Sequence, residues 1–298
     1  MTTIAFIGLG HMGDPMAANL VKNGFSVRGF DLSPALVNAA KAAGVFPCTT
    51  LAQALEGADV VITMLPAGKH VLSVWQELVT AVPAGTVLID CSTIDVESAR
   101  KAHALAAGAA CPSLDAPVSG GTGGAAAATL TFMVGGDPDV FSRTQPIFEA
   151  MGKRIILCGG ASSGQAAKIC NNMILGISMI AVCEAFVLGE KLGLSHQALF
   201  DVASVSSGQC WSLTTYCPVP GPVATSPANS DYRPGFAAAL MLKDLNLAQA
   251  AAQATGSATP LGARASELYD LFNQRGNGER DFSGIISLLR DQSGVETV

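Results

Sequence analysis

The segment Ile4-Ala5-Phe6-Ile7-Gly8-Leu9-Gly10-His11-Met12-Gly13 decides the fold, because a short apolar strand leads directly into a turn with three spaced glycines. Helix-forming residues follow from Pro15 to Asn23. A strand, a GxGxxG turn and a helix in this order let the backbone approach a pyrophosphate and let the helix pack closely on the strand. We expect a dinucleotide to bind at this turn; the alternative is a structural glycine turn without a ligand.

Asp31 follows the second predicted strand, Ser26–Phe30, at the place where dinucleotide-binding sheets contact the adenosine ribose. A carboxylate there accepts hydrogen bonds from the ribose 2′-hydroxyl and repels a 2′-phosphate. Asp31 therefore favours NAD as the cofactor. Arg28 and Ser33 lie nearby in the sequence, so NADP stays open as the alternative.

The first half of the chain alternates short β-branched runs with helical stretches, which is the pattern of a parallel sheet covered by helices. After Gly159-Gly160 a long helix from about Ser163 to Leu192 begins, and only helical segments separated by Gly, Pro and Ser follow. The predicted fold is α/β: a Rossmann-type doubly wound sheet, then an all-α C-terminal domain led by a long interdomain helix. The predicted domains are a dinucleotide-binding domain at 1–161 and a helical domain for substrate binding and oligomerisation at 162–298. The predicted strands are Ile4–Ile7, Ser26–Phe30, Val60–Met64, Val87–Asp90, Ser113–Ala116, Thr131–Val134 and Arg154–Leu157.

The composition is unusually apolar. Of 298 residues, 49% are hydrophobic and 13% are charged, and the mean hydropathy is +0.40. Contacts between identical subunits are the obvious place to bury such a surface, so we expect a homo-oligomer, a tetramer or a dimer. The formal net charge of −6, without a Lys/Arg cluster, argues against a nucleic-acid partner.

The N-terminus lacks the basic segment of a signal peptide, and the apolar run from Met173 to Cys183 is shorter than the ~20 residues that cross a bilayer. We therefore expect a soluble, cytoplasmic protein without membrane contact. The cysteines and histidines have no metal-ligand spacing, so no metal site is predicted.

Polar or conformationally special residues follow the third, fourth and fifth predicted strands. Ligands of open α/β sheets lie at the carboxyl ends of the strands, so these turns belong beside the cofactor and substrate. In Ser119-Gly120-Gly121 the glycines free the backbone N–H groups to converge on an anion, and the serine adds a donor. An ordinary surface loop is the alternative for this segment. The three turns are Met64-Leu65-Pro66, Cys91-Ser92-Thr93 and Asp115-Ala-Pro-Val-Ser119-Gly120-Gly121.

Lys168 and Asn172 are one turn apart on the long predicted helix and share a face, with Gln165 beside them. Most lysines are solvated surface charges, and that is the plain interpretation of Lys168. Because its helix opens the second domain, however, we expect it to cross the cleft at the nicotinamide end of the cofactor. A partly desolvated lysine has a lowered pKa and is suited to taking and returning a hydroxyl proton.

Four segments together resemble the β-hydroxyacid dehydrogenase family, and the likeness covers essentially the whole chain. Within this family the chain resembles 3-hydroxyisobutyrate dehydrogenase and, equally, a bacterial L-serine dehydrogenase of the same subgroup. The resemblance to 3-hydroxyisobutyrate dehydrogenase implies a role in valine catabolism. The segments are Phe6-Ile-Gly-Leu-Gly-His-Met-Gly-Asp-Pro-Met-Ala-Ala-Asn19-Leu20, Asp115-Ala-Pro-Val-Ser-Gly-Gly121, Gly164-Gln-Ala-Ala-Lys168-Ile-Cys-Asn-Asn172 and Met241-Leu-Lys243-Asp244-Leu.

The resemblance implies roles for individual residues. Lys168 is the expected catalytic lysine, and Asn172 is expected to hold the substrate beside it. Substrate-binding positions are Ser119, Gly120, Gly121, Trp211, Tyr216, Phe236 and Asp244. Cofactor-binding positions are Gly8, Leu9, Gly10, His11, Met12, Gly13, Asp31, Leu65, Pro66, Thr93 and Lys243.

Two segments near the expected pocket depart from the family pattern. Ser207-Gly208-Gln209-Cys210-Trp211 replaces the usual Ser-Gly-Gly-Asn-Trp, and Tyr216-Cys217-Pro218-Val219 lacks a tryptophan that usually follows Tyr-Asn-Pro. These departures put the identity of the substrate in doubt, although not the reaction.

The sequence hypothesis is the NAD-dependent oxidation of a small β-hydroxyacid, 3-hydroxyisobutyrate or L-serine, to its semialdehyde with Lys168 as acid/base. A reductase of tartronate or succinic semialdehyde that uses NAD(P)H is the alternative. Such enzymes usually bring extra cations to the pocket, and Cys210–Gly235 supplies only Arg233. A non-catalytic dinucleotide sensor is a remote alternative, because it is expected to lack the Lys168–Asn172 pair.

Overall fold

The structure is a computed structural model that describes residues 1–294, and these residues form two compact units. The first unit runs from Met1 to Lys168, and the second begins at Ile169. The predicted long helix is present from Ser163 to Lys191 and is continuous across this boundary. The domain boundary predicted at residues 161 and 162 falls just before the helix and stays a prediction.

One sheet forms the centre of the first unit. Among the described residues its strand order is β3-β2-β1-β4-β5-β6-β8-β7, and β9 pairs with β8 outside this path. The order of the first five strands along the sheet places the crossover between β1 and β4, as in a doubly wound fold. The strands are β1 Thr3–Ile7, β2 Ser26–Phe30, β3 Phe46–Pro47, β4 Val60–Thr63, β5 Val87–Asp90, β6 Ser113–Asp115, β7 Val118–Ser119, β8 Leu130–Gly136 and β9 Gly152–Gly159.

The sheet is parallel as predicted from β1 to β6 and departs from the parallel pattern at one end. Strand β8 runs antiparallel to β6 and to β7, whereas β9 is parallel to β8. A parallel neighbour needs a crossover connection of a dozen or more residues, usually with a helix packed on the sheet. Between β6 and β8 the chain forms only β7 and the short helix Gly121–Ala126 instead of a full crossover helix, and β8 pairs with both strands in the antiparallel direction.

Alternate residues of the central strands bury side chains on opposite faces of the sheet. Ile4 and Phe6 belong to one core cluster, and Ala5 and Ile7 belong to another. Successive side chains of a strand point to opposite faces, so strands with no polar alternation require cover on both sides. The helices that supply this cover are α1 Gly13–Lys22, α2 Pro34–Lys41, α3 Leu51–Leu55, α4 Gly68–Ala81, α5 Val96–Gly108, α6 Gly121–Ala126 and α7 Pro138–Met151.

Helices build the second unit, and its only strand-like feature among residues 169–294 is an isolated bridge between Ala237 and Asp281. Ser195 is the N-cap of the helix that starts at His196, since its side chain accepts a hydrogen bond from Ala198 N–H. Thr259 precedes a helix with Pro260 at its start, but its hydroxyl donates to Gln249 instead of capping. The helices are α8 Ser163–Lys191, α9 His196–Ala203, α10 Trp211–Thr214, α11 Ala238–Thr255, α12 Pro260–Phe272 and α13 Ile286–Ser293, with shorter 3₁₀ or π turns at Pro227–Ser230, Asn273–Asn277 and Phe282–Ile285.

Helix α8 is apolar and long enough to cross a membrane by length and composition alone, with a mean hydropathy of 1.9 over its most apolar window. The sequence prediction considered only its central run and found that run too short. A core helix passes the same test, and half of this window is buried within the structure. Met179, Cys183 and Phe186 on α8 belong to the core of the second unit. We therefore describe α8 as a core helix.

Candidate active site

Each glycine of the first turn is present for a different structural reason. Gly8 has φ +98°, and a Cβ there would lie 2.3 Å from Met64 O. At Gly13 a Cβ would lie 1.9 Å from the carbonyl oxygen of Gly8, so this glycine lets α1 start directly against the turn. At Gly10 no atom lies within 4 Å of an added Cβ, so the space in front of the turn is open. A bare backbone facing open space fits a pyrophosphate.

Asp31 is fastened to this turn. Its Oδ2 accepts a hydrogen bond from Leu9 N–H at 2.8 Å, and its Oδ1 accepts one from Ser33 N–H at 2.8 Å. The carboxylate is therefore held beside the glycine turn, and each oxygen keeps a lone pair for a ribose hydroxyl. These observations show that the residues present fit NAD.

Arg28, which left NADP open in the sequence, is engaged elsewhere. Its guanidinium donates to Gln53 O at 2.9 and 2.6 Å and pairs with Glu56 at 3.0 Å. It also lies over the ring of Phe46, 4.9 Å from the centroid. With these partners the guanidinium is directed towards α3. It is therefore not positioned to bind a phosphate beside Asp31.

The turns after β4 and β5 are joined by Ser92. Its hydroxyl oxygen accepts a hydrogen bond from Leu65 N–H at 2.8 Å and donates to Asp90 Oδ1 at 2.6 Å. Asp90 Oδ1 also accepts from Thr63 Oγ1 at 2.8 Å. The buried side chains of Thr63, Asp90 and Ser92 thus hold the backbone of the two turns that carry Leu65 and Thr93, both predicted cofactor contacts.

Asp90 itself was missed in the sequence analysis. It is 2% exposed, and its Oδ2 has no hydrogen-bond partner in the structure. Burial raises the pKa of Asp90 to about 6, although hydrogen bonds from Ser92 and Thr63 lower it and the nearby Asp115 raises it further. Through its hydrogen bonds with Thr63 and Ser92, Asp90 links the carboxyl ends of β4 and β5, from which the two turns start.

Lys168 is not a solvated surface charge, since it is only 6% exposed. One turn earlier on α8, Gln165 is completely buried and holds the turn after β5 from both sides: its Nε2 donates to Ser92 O at 2.7 Å, and its Oε1 accepts from Ile94 N–H at 3.1 Å. Thr93 lies between these two contacts. The helix turn that carries Lys168 is therefore tied to a predicted cofactor loop through Gln165.

The start of α8 is anchored on Asp115. Its Oδ2 accepts from Gln165 N–H at 2.8 Å, and its Oδ1 accepts from Ser162 N–H at 2.8 Å. His103 Nε2 lies 2.9 Å from the same Oδ1. Gly164 is required here because an added Cβ would lie 2.2 Å from Met133 O. A buried carboxylate thus holds the first turn of α8.

The predicted anion-binding turn, Ser119-Gly120-Gly121, has a backbone conformation that its glycines allow. Ser119 ends β7, Gly120 has φ +132°, and Gly121 has φ +62°. A Cβ at Gly120 would lie 3.1 Å from Leu130 Cδ2. Both glycines adopt positive φ values that other residues rarely reach, so the turn requires glycine at both positions.

In the second unit Asn172 and Asp244 are brought together. Asn172 Nδ2 donates to Asp244 Oδ2, and both residues are buried at 2% and 4% exposure. Asn171 Nδ2 donates to Asn172 Oδ1 at 3.0 Å. The amide of Asn172 is therefore held on both sides. Lys243, the residue before Asp244, is half-buried.

The aromatic positions predicted for the substrate form a stack. The rings of Trp211 and Tyr216 are 4.8 Å apart and nearly parallel, and Tyr216 stacks on Phe282 at 5.3 Å. Phe236 meets Phe282 edge-on at 5.7 Å. Phe282 was missed because nothing in its local sequence marks it, whereas the structure places it between two of the predicted residues.

The predicted residues therefore fall into two sets, one in each unit. The first unit joins the glycine turn to Asp31, and the loops of Leu65 and Thr93 to the turn that precedes Lys168. The second unit joins Asn172 to Asp244 and Trp211 to Tyr216. His11 and Pro66 are exposed, and Met12 is half-buried. Within residues 1–294 no cluster of three or more His, Cys, Asp or Glu side chains could hold a metal ion.

Two family models match the chain in succession. Residues 3–160 match the NAD binding domain of 6-phosphogluconate dehydrogenase, and residues 162–289 match the NAD-binding domain of NADP-dependent 3-hydroxyisobutyrate dehydrogenase. Together they cover both the sheet and the helical part of the protein.

Curated relatives and a solved structure agree with these models. A probable 3-hydroxyisobutyrate dehydrogenase of Mycobacterium tuberculosis H37Rv is 54% identical over 97% of this chain and 98% of its own. The NAD-dependent L-serine dehydrogenase of Pseudomonas aeruginosa is 48% identical over 99% of this chain and 100% of its own. A solved structure of M. tuberculosis 3-hydroxyisobutyrate dehydrogenase with L-serine is 54% identical and superposes with a TM-score of 0.95 over 97% of this chain and 99% of its own. The predicted fold class and the NAD cofactor are thereby confirmed, and the chain belongs to the β-hydroxyacid dehydrogenase family as an NAD-dependent oxidoreductase.

Proposed function

We propose that this enzyme oxidises a small β-hydroxyacid with one carboxylate, 3-hydroxyisobutyrate or L-serine, to its semialdehyde, and that Lys168 is the acid/base. The observation that carries the proposal is the burial of Lys168, one helical turn after Gln165. The Gln165 side chain forms hydrogen bonds with the backbone on both sides of Thr93. A buried amine held this close to a predicted cofactor loop is positioned for chemistry rather than for solubility.

The proposed roles are those that the family resemblance implies, and the contacts described above support them. Gly8 to Gly13 and Asp31 hold the dinucleotide, and Leu65, Pro66, Thr93 and Lys243 complete its contacts. The N–H groups of Gly120 and Gly121 and the hydroxyl of Ser119 bind the substrate carboxylate. Asn172 and Asp244 orient the hydroxyl, and Trp211, Tyr216 and Phe236 enclose the carbon skeleton. NAD⁺, when bound, supplies the acceptor for the hydride that leaves the carbinol carbon.

Lys168 in its neutral form takes the hydroxyl proton as the carbon–oxygen bond becomes a carbonyl. The ammonium that results then faces the new carbonyl oxygen and stabilises the charge that develops there. In the reverse direction the same ammonium returns the proton to the oxygen, so one residue serves oxidation and reduction. Asn172 keeps the substrate oxygen within reach of the amine through its fixed amide.

Both proposed substrates share a three-carbon skeleton with a carboxylate and a primary hydroxyl, and they differ only in a methyl or an ammonium at the central carbon. The two named relatives have similar identities to this chain, 54% and 48%. Sequence identity therefore does not rank the two substrates, and kinetic measurements are needed to do so. Steady-state kcat/KM for 3-hydroxyisobutyrate, L-serine, D-threonine and L-glycerate, each with NAD and NADP, identifies the substrate.

The test of the mechanism is Lys168→Ala. We expect kcat to fall by at least ~10²-fold while NAD affinity, measured by calorimetry, stays within about twofold. Lys191→Ala is the matched control, because Lys191 is an exposed lysine at the end of the same helix. Near-normal turnover in Lys168→Ala, or an equal loss in Lys191→Ala, contradicts the assignment.

We further propose that the chain assembles into a homodimer or homotetramer. Helix α8 and the loop after it expose Ile174 at 66%, Leu188 at 59% and Leu192 at 70%. Large apolar side chains clustered on one helix are typical of subunit contacts. Light scattering coupled to size-exclusion chromatography measures the mass; a mass of one chain at micromolar concentration contradicts this proposal.

We propose a cytoplasmic location on the state of the cysteines. All eight cysteines are free thiols in the structure, and five of them are buried. Buried free cysteines act as small apolar side chains, and free thiols are typical of proteins in a reducing compartment. Fractionation of cells followed by immunoblotting tests the proposal, and recovery of the protein with the membrane pellet contradicts it.

A further inference from the structure

Asp281 is a completely buried carboxylate with five hydrogen-bond donors around it. Its Oδ2 accepts from Tyr216 Oη at 2.9 Å, from Gly235 N–H at 2.9 Å and from Phe236 N–H at 3.0 Å. Its Oδ1 accepts from the N–H of Ser283 at 3.0 Å and from the Ser283 hydroxyl at 2.7 Å. This set satisfies both oxygens and compensates the burial of the charge.

The two oxygens of Asp281 serve different parts of the second unit. Oδ1 caps the 3₁₀ turn Phe282–Ile285, which is a local structural role. Oδ2 reaches across a large sequence separation to two residues predicted to enclose the substrate, Tyr216 and Phe236. This oxygen therefore binds the ring hydroxyl of Tyr216, on which Trp211 stacks, and the backbone of Phe236.

The surroundings keep Tyr216 in the donor form. Burial raises the pKa of Tyr216, and the charge of Asp281 and the hydrogen bond to it raise it further, so the hydroxyl stays protonated. Gly235 is required beside it, since a Cβ at this position would lie 2.6 Å from the tyrosine hydroxyl oxygen. A glycine, a buried carboxylate and a protonated phenol thus fix the ring plane against which Trp211 lies.

We propose that Asp281 is a positioning residue for substrate specificity: through Tyr216 and the backbone of Phe236 it sets the aromatic face formed by Trp211, Tyr216 and Phe236. This inference rests on the proposed function, in which that face encloses the carbon skeleton of the substrate. Asp281 touches no substrate itself. Its effect is therefore expected in KM and in the ranking of substrates, while proton transfer at Lys168 continues.

The chain offers a matched pair of variants. Tyr216→Phe and Ser283→Ala each remove one hydroxyl donor from Asp281, but only Tyr216 belongs to the aromatic face. We expect Tyr216→Phe to raise KM for the preferred hydroxyacid about tenfold, since one hydrogen bond to a charged group is lost, while NAD affinity stays within about twofold. Ser283→Ala also removes one hydrogen bond to Asp281. We expect it to lower the thermal midpoint about as much as Tyr216→Phe does and to leave KM unchanged.

A second measurement does not need turnover. The chain has two tryptophans, so Trp75→Phe leaves Trp211 as the sole emitter. Fluorescence anisotropy and acrylamide quenching of Trp211 then report how firmly it is held. We expect Tyr216→Phe and Asp281→Asn to lower the anisotropy and increase quenching, and Ser283→Ala to change neither.

The outcomes separate this inference from the proposed function. Equal changes in KM for Tyr216→Phe and Ser283→Ala, or an unchanged Trp211 signal in Asp281→Asn, overturn the positioning role. A loosened Trp211 without any effect on KM shows that Asp281 orders the face but that the face does not enclose the substrate. That result overturns the specificity role while Lys168→Ala still tests the reaction by itself.

Discussion

Asp115 accepts a hydrogen bond from the backbone N–H of Gln165 at 2.8 Å, so a carboxylate at the end of β6 fixes the helix turn that precedes Lys168. The same carboxylate accepts from Ser162 N–H and pairs with His103. Asp115 also begins the segment that leads to Ser119. One buried residue therefore sets the position of the proposed acid/base and lies four residues before the proposed carboxylate loop.

We predict that Asp115→Asn lowers kcat by about 10- to 100-fold, because displacement of a catalytic group by about 1 Å costs rates of this order. An amide has one acceptor oxygen, so either Gln165 N–H or Ser162 N–H loses its partner. NAD affinity is expected to stay within about threefold. Stopped-flow turnover and calorimetry measure the two quantities.

Ser113→Ala is the control for this prediction. It removes the hydroxyl that lies 2.8 Å from His103 Nδ1 but leaves Asp115 and its two backbone donors intact. Its kcat is expected within about twofold of the parent, as for a substitution that leaves the catalytic geometry in place. A similar loss of kcat in both variants means that the helix start does not control catalysis.

The cofactor preference gives a second prediction. Asp31 is held by Leu9 N–H and Ser33 N–H, and the next residue, Leu32, is 92% exposed. Replacing the pair by Asp31→Ser and Leu32→Arg removes the repulsive carboxylate and supplies a cation for the 2′-phosphate. We expect the NAD/NADP ratio of kcat/KM to fall by at least ~10²-fold, about two factors of ten for one charge removed and one added.

Arg28→Met is the matched control for cofactor choice. Because the guanidinium is bound to Gln53 O and Glu56, its loss is expected to change the NAD/NADP ratio by less than about twofold, as for a charge outside the site. If NADP use falls tenfold in Arg28→Met, Arg28 reads the phosphate and the assignment to Asp31 is wrong.

Some of this site could be predicted from the sequence, and the reason is local. The glycine turn, Asp31 and the Lys168–Asn172 turn are each defined by residues within a few positions of one another, where strand and helix periodicity fix their relative places. The two-residue strands Phe46–Pro47 and Val118–Ser119 were not predicted, since two residues carry no periodicity. They exist because their backbones complete the edges of a sheet that other strands build.

The positioning carboxylates could not be predicted for a different reason. Asp90, Asp115 and Asp281 take their meaning from partners far away in the chain: Thr63 for the first, Gln165 for the second and Tyr216 for the third. A single sequence shows each as an ordinary acidic residue. Only the fold brings the donors to them, so the sequence indicated the proposed ligand contacts but not the positioning role of these three carboxylates.

Asp90 gives a prediction on pH. Burial raises its pKa from 3.8 to about 6 in the folded protein. Between these values the folded state binds more protons than the unfolded state, so the Asp90 contribution to stability decreases as pH rises from about 4 to about 6. Two pKa units correspond to roughly 3 kcal/mol. The parent is therefore expected to lose about that much stability relative to Asp90→Asn over this pH window.

The measurement follows unfolding in the first unit alone. In a Trp211→Phe background Trp75 is the sole tryptophan, and its indole N–H donates to Thr63 Oγ1, which itself donates to Asp90. Urea titrations of the parent and Asp90→Asn at pH 4.5, 5.5, 6.5 and 7.5 give the difference in free energy. These pH values bracket the expected titration at about 6. Parallel stabilities at all four values contradict a raised pKa at Asp90.

The last prediction concerns Glu190, which joins α8 to the last helix. Arg290 Nε donates to Glu190 Oε2 at 3.2 Å, and His196 Nε2 lies 2.7 Å from Oε1. Burial raises the pKa of Glu190, but hydrogen bonds from Arg290 and His196 outweigh that and lower it overall. A lowered pKa means that the pair stabilises the fold above the unfolded value and that this stability is lost as pH falls through the folded value.

We therefore expect Glu190→Gln to cost about 1–3 kcal/mol at pH 7, because it leaves a half-buried guanidinium without its charged partner. The cost is expected to shrink as the pH falls through the lowered pKa of Glu190, because the parent carboxyl is then protonated as well. Glu267→Gln is the control: its partner Arg264 and Glu267 have side chains 66% and 65% exposed. Exposed pairs contribute little, so we expect a change below about 0.5 kcal/mol. Equal costs in the two variants, measured by urea unfolding at pH 7, contradict a stabilising role for the link between α8 and α13.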